Sequence, residues 1–167
     1  MNADLLKGIL HSLLFCLVQV LVLNHIHLFG IATPLLYVYF ILQFQRNSPR
    51  WLIVLWAFLM GLVIDIFENT PGVTAFSLTL LGVLQPIFLS PFIPRDSSED
   101  LHPSIHTLGM AQYCYYVGLS ILFYNIVFFT VEMFNFFNWQ LWAECVGGSS
   151  LLTFVLLLVP ENLRSRL

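Results

Sequence analysis

Charge is scarce in this sequence. Its 167 residues hold only six Lys and Arg and nine Asp and Glu, 9% in all, where a water-soluble domain carries roughly a quarter. So small a supply excludes an ordinary soluble domain, and with 59% hydrophobic residues and sixteen Phe it predicts a multipass membrane protein. The net charge of −3 offers no basic stripe for phosphates, which excludes a nucleic-acid partner. Cysteine is scarce too. Cys16, Cys114 and Cys145 are odd in number and lie inside apolar runs, so they read as small core hydrophobes rather than a disulfide or metal set. No cleavable leader is expected either: Met1-Asn2-Ala3-Asp4 is short, and the apolar run behind it continues without an Ala-x-Ala site.

Long apolar runs are what the chain has in abundance. A spanning helix needs roughly 20 apolar residues, about 17 at the least. Six runs qualify: Leu5 to Leu23, Leu28 to Phe44, Trp51 to Phe67, Val73 to Phe92, Met110 to Val131 and Gln140 to Val159. The expected fold is a single all-α transmembrane domain over residues 1–167. The second span contains Gly30 and Pro34, and Pro is best tolerated in a first turn, so that helix is expected to be short or to begin irregularly. Orientation follows from Lys and Arg, which favour the cytoplasmic side. Lys7, Arg46, Arg50, Arg95, Arg164 and Arg166 all fall on one side of a six-span arrangement, and the connectors on the other side have none. Both termini are therefore expected in the cytoplasm. Trp51 and Trp56 then lie near the inner boundary, and Trp139 and Trp142 near the outer one.

One acid breaks these runs from within. Asp65 lies inside the third span, where a carboxylate costs about 2.5–3.5 kcal/mol on insertion scales and so asks for a partner or a role. Asn69, Pro71 and Gly72 follow it as a tight-turn signal, so the third and fourth spans are expected to form an antiparallel hairpin with Asp65 one turn below its mouth. The favoured role for the acid is to accept hydrogen bonds from the start of the fourth span, with Thr70, Thr74 and that helix's free N–H groups as donors. The competing role is to present its charge to a partner or ligand.

Small residues show where helices approach closely in lipid. Ala57, Gly61 and Asp65 share one face of the third span; Gly72, Ala75, Thr79 and Gly82 share one of the fourth; Ala143, Gly147 and Ser150 share one of the sixth. Each is either an intramolecular contact or a partner groove. The hairpin residues Gly61, Asp65, Pro71 and Gly72 and the faces of Ala75, Thr79, Gly82, Ala143, Gly147 and Ser150 are the candidate functional positions.

Chemistry of other kinds finds little footing. His102 and His106 are four apart beside Asp96, Glu99 and Asp100, but Pro103 between them argues against a shared helix, and no metal site or cofactor is expected. His25 and His27 sit in a short connector, and His11 lies one turn beyond Lys7. No Gly-x-Ser-x-Gly or paired Ser and His occurs inside the spans. Glu68 stands three residues from Asp65 on the same face, but two carboxylates share a proton only when adjacent and desolvated, and Glu68 is expected at the watery outer boundary. Glu132 and Glu144 read as exposed at the membrane surface. No catalytic residue is expected. The acidic connector from Arg95 to Gly109 has no Lys/Arg cluster for anionic lipid; it reads as a solvated loop or a docking site for a cytoplasmic protein.

The run Gly61-x-x-x-Asp65-x-Phe67 followed by Thr70-Pro71-Gly72-Val73-x-Ala75 resembles the signature hairpin of the rod-shape-determining MreD family. Asn24-His25-Ile26-His27-Leu28-Phe29-Gly30 with Thr33-Pro34, Pro94-Arg95-Asp96 and Glu132 resemble the form of that family found in Bacteroidetes-type bacteria. The resemblance implies a non-enzymatic inner-membrane component of the cell-elongation machinery. Its implied partner is the bitopic protein MreC, and through it the MreB filament, the glycosyltransferase RodA and a class B penicillin-binding protein. The implied fold is similar to the substrate-binding component of energy-coupling-factor transporters. Such components engage their module through an Ala-x-x-x-Ala face on the first helix, and this chain offers Gly8-x-x-x-Ser12 there. A small-molecule-binding transporter subunit is therefore the second reading, and an intramembrane hydrolase built on Asp65 and Glu68 the third.

Overall fold

The computed structural model describes residues 35–45, 48–93, 102–133 and 139–164, with side chains of the last helix as far as Leu158. The first expected span, the start of the second, both termini and residues 94–101 lie outside this set, and with them Lys7, His11, Cys16, His25, His27, Arg46, Arg95 and the acids Asp96, Glu99 and Asp100.

The described residues form helices and no strand. They are α1 (Val38–Leu42), α2 (Arg50–Glu68), α3 (Val73–Leu89, continued by a 3₁₀ turn at Ser90–Phe92), α4 (Ile105–Leu108), α5 (Met110–Met133) and α6 (Trp139–Arg164). Four of these segments, Arg50–Glu68, Val73–Phe92, Met110–Met133 and Trp139–Leu158, are long and apolar enough to cross a membrane. They coincide with the third to sixth expected spans within two residues at each end.

The breaks between helices have local causes. Pro49, extended at φ −62° and ψ 129°, stands just before α2 and has no N–H to extend the helix backward. Asn69 closes α2 in the left-handed region at φ 56°, a conformation that Asn tolerates better than most side chains. Gly72 follows at φ 83°, where a Cβ would be strained. Two left-handed residues within a four-residue connector reverse the chain, giving the expected hairpin. Gly109, at φ 86°, separates α4 from α5. Pro103 precedes α4, which is opened by a capping box between Ser104 and Thr107, so His102 and His106 do not share a helix.

Packing runs from α2 to α3, α5 and α6 in turn, with α1 seated against α3 and α5. The α2–α3 contact is the closest: a Cβ built on Gly61 would lie 2.3 Å from Ala75 Cα, and one on Gly82 would lie 3.1 Å from Ala57 Cβ. Across the α3–α5 contact Phe88 meets Phe123 edge to face at 5.3 Å. The outward face of α2 bears Trp51, Leu55, Phe58, Leu62, Ile66 and Phe67, all exposed, a surface suited to acyl chains rather than water.

The second expected span is where the structure departs from a simple bundle. Its described part holds a single five-residue helix, α1, preceded by a turn at Leu36 and Tyr37. Pro34 stands just ahead of it. Tyr37, Val38, Tyr39, Ile41 and Leu42 are all buried, so α1 has no lipid-facing stripe of its own.

Candidate functional site

The Asp65 carboxylate, 5% exposed, faces the start of α3. Its Oδ1 accepts from the Thr74 N–H at 2.8 Å and the Thr70 hydroxyl at 3.1 Å, and its Oδ2 accepts from the Ala75 N–H at 3.0 Å. The first N–H groups of a helix have no partner inside it, and a negative group there is favoured by the helix dipole. Asp65 thus caps α3 from the preceding helix, across the turn. Its own carbonyl accepts from Asn69 and Thr70 N–H groups, so the same residue closes α2. Thr70 donates through its hydroxyl as expected, whereas Thr74 donates through its backbone, and its buried hydroxyl has no hydrogen-bond partner.

Gly61 explains how the carboxylate reaches those amides. It sits one helical turn before Asp65 and lets the α3 backbone at Thr74 and Ala75 press directly onto α2. Pro71 and Gly72 are exposed at the hairpin mouth and act through chain reversal rather than contact. Both Asp65 oxygens are engaged by N–H or O–H donors from the start of α3 and its approach, and Glu68, three residues on, is half-buried. The arrangement suits a structural clasp.

The candidate partner faces divide. Ala75 and Gly82 lie inside the chain against Gly61 and Ala57, the intramolecular one of the two alternatives for that face. Half-buried Thr79 turns its hydroxyl back to the Ala75 carbonyl at 2.6 Å. On α6, by contrast, Ala143 and Gly147 are exposed, and a Cβ on Gly147 would meet nothing within 4 Å. Ser150 beside them is half-buried, with its hydroxyl unpartnered.

No known protein family, curated protein or solved structure matches the chain.

A second polar constellation escaped sequence reasoning. Gln85, buried on α3, donates to the Tyr116 hydroxyl at 3.1 Å and toward the Phe44 carbonyl at 3.5 Å; Tyr116, on α5, donates to the Leu42 carbonyl at 3.1 Å. The Tyr37 and Tyr124 hydroxyls meet at 2.8 Å, and the Leu35 N–H donates to the Thr153 hydroxyl on α6 at 3.1 Å. These side chains satisfy the backbone at both ends of α1. Backbone that is not helical at membrane depth persists only where protein supplies such partners. The available signal was Gln85 inside an apolar run, read together with the break at Pro34.

The remaining candidates are dispersed. His102 Nε2 lies 2.6 Å from Gln45 Nε2, while His106 is exposed. Cys114 and Cys145 are free thiols. Trp139 and Trp142 stack at 5.1 Å, and Glu132 and Glu144 are exposed. Among the described residues no three His, Cys, Asp or Glu side chains are grouped to hold a metal.

Proposed function

We propose that this chain is a non-enzymatic scaffold of the bacterial inner membrane, with six spans and both termini cytoplasmic. In this reading it belongs to the cell-elongation complex. It pairs with the bitopic protein MreC and so links the MreB filament to peptidoglycan synthesis by RodA and a class B penicillin-binding protein. The observation that carries the reading is the use of Asp65. The acid of the MreD-like hairpin is spent on three donors of the next helix, which supports a role in holding shape over one in chemistry. The exposed Ala143 and Gly147 face of α6 supports close approach by a partner's transmembrane helix, since small residues permit backbone contact in lipid.

Site-specific photocrosslinking in native membranes tests this, with probes at Phe76 and Leu151, which are 53% and 69% exposed, and at Leu80 and Ile105. The expected result is an adduct with an MreC-like single-span protein, strongest from Leu151. Adducts with a transport ATPase module and none with cell-wall proteins would replace the scaffold reading with that of a transporter subunit.

A further inference from the structure

α1 is attached to the bundle through side-chain hydrogen bonds from three other helices. A helix shorter than about 12 residues has little stability of its own, and this one has five. The N–H groups of Val38, Tyr39, Phe40 and Phe44 reach back only three residues, at 3.0 to 3.4 Å. Support comes from outside: Thr153 of α6 holds the Leu35 N–H, Tyr124 of α5 holds the Tyr37 hydroxyl, Tyr116 of α5 holds the Leu42 carbonyl, and Gln85 of α3 holds the Phe44 carbonyl. Tyr116 is the shared node at one end, accepting from Gln85 while donating to Leu42. The next residue but two, Gln45, meets His102 at 2.6 Å, joining this end of the segment to the stretch that leads into α4.

The α2–α3 pair is held by other means. There, backbones touch at Gly61 and Ala75, and both helices are long enough to carry their own hydrogen-bond ladders. The hydrogen bonds that hold this segment come from α3, α5 and α6, while toward α2 Phe40 meets Trp56 edge to face at 6.5 Å. The Tyr116–Gln85 node can therefore open without parting the Gly61–Ala75 contact.

We infer that residues 35–45 form a releasable strap. Its latch is the Tyr116–Gln85 pair, which frees the Leu42 to Gln45 end from the α3–α5 groove while the α2–α3 hairpin stays shut. Release carries Gln45 away from His102, so the stretch leading into α4 senses the state of the core. This is a conformational device independent of the identity of any partner. It gives the molecule a local opening of lower free energy than global unfolding, the kind of element from which regulated motions are drawn.

Hydrogen exchange of the full-length chain in lipid nanodiscs tests it, comparing amides of residues 38–44 with those of residues 57–65. In the native protein the strap exchanges faster than the α2 segment. Tyr116→Phe, which removes the hydroxyl but keeps the ring, speeds exchange of the strap about tenfold, as expected for loss of a buried hydrogen bond, and leaves residues 57–65 unchanged. Gln85→Leu acts in the same direction and serves as the second variant if Tyr116→Phe does not fold. The double variant exceeds the stronger single variant by little, because both act on one node. Equal acceleration of the two segments would show general loosening and overturn the latch. So would a strap that exchanges as slowly as α2 in the native protein and both variants.

Discussion

Two stripes of small residues, one on α3 and one on α6, look alike along the chain and do opposite things. Ala75 and Gly82 face α2 so closely that a side chain on Gly61 would collide with the Ala75 backbone. Ala143 and Gly147 face outward, with open space above Gly147. The first stripe builds the molecule, and the second lies on its outer surface. A small-residue face is therefore a statement about how near a neighbour can come, and it does not say whether the neighbour belongs to the same chain.

The sharpest way to break this comparison is to add bulk to each stripe in turn. Gly61→Leu should have the largest effect, because even a Cβ would sit 2.3 Å from Ala75 Cα. Separation of α2 from α3 also withdraws Asp65 from its donors. The expected cost is at or beyond the top of the range of about 1–3 kcal/mol for overpacked contacts, read as loss of folded protein in detergent-unfolding curves.

Removing the clasp comes next. Asp65→Ala leaves the Thr74 and Ala75 N–H groups without their acceptor and should destabilise the protein by roughly 2–3 kcal/mol, as for loss of buried hydrogen bonds to a charged group. Asp65→Asn keeps one acceptor oxygen and should cost about half as much. If both variants unfold like the native protein, the clasp contributes nothing and the hairpin closes by packing alone.

Gly147→Leu should be the mildest for the isolated chain. Within about 0.5 kcal/mol its stability is expected to be unchanged, as at other exposed positions, while crosslinking from Leu151 to a partner helix falls sharply. A large loss of stability would move this stripe into the same class as the first and remove the surface on which partner contact at α6 depends.

Much of this could be read before any coordinates. Asp65 and its acceptor role were legible because the partners lie only nine and ten residues on, across a connector whose Asn69, Pro71 and Gly72 dictate reversal. The ties on α1 were not. Leu35 and Thr153 are 118 residues apart, and Leu42 and Tyr116 are 74 apart, so no local pattern announces them.

By itself the sequence determined the apolar spans, the places where helices stop, and the hairpin with its buried acid. All of these depend on single-residue backbone preferences and on the length of apolar runs. Only the tertiary structure decided which small-residue face is spent inside the chain, and that Gln85, Tyr116, Tyr124 and Thr153 hold a broken segment in place. The reason is physical. In a soluble helix the apolar stripe marks the inward face because water claims the other, but for a helix in lipid both sides are apolar. Hydrophobic periodicity is then silent about direction, and only the contacts themselves distinguish core from membrane.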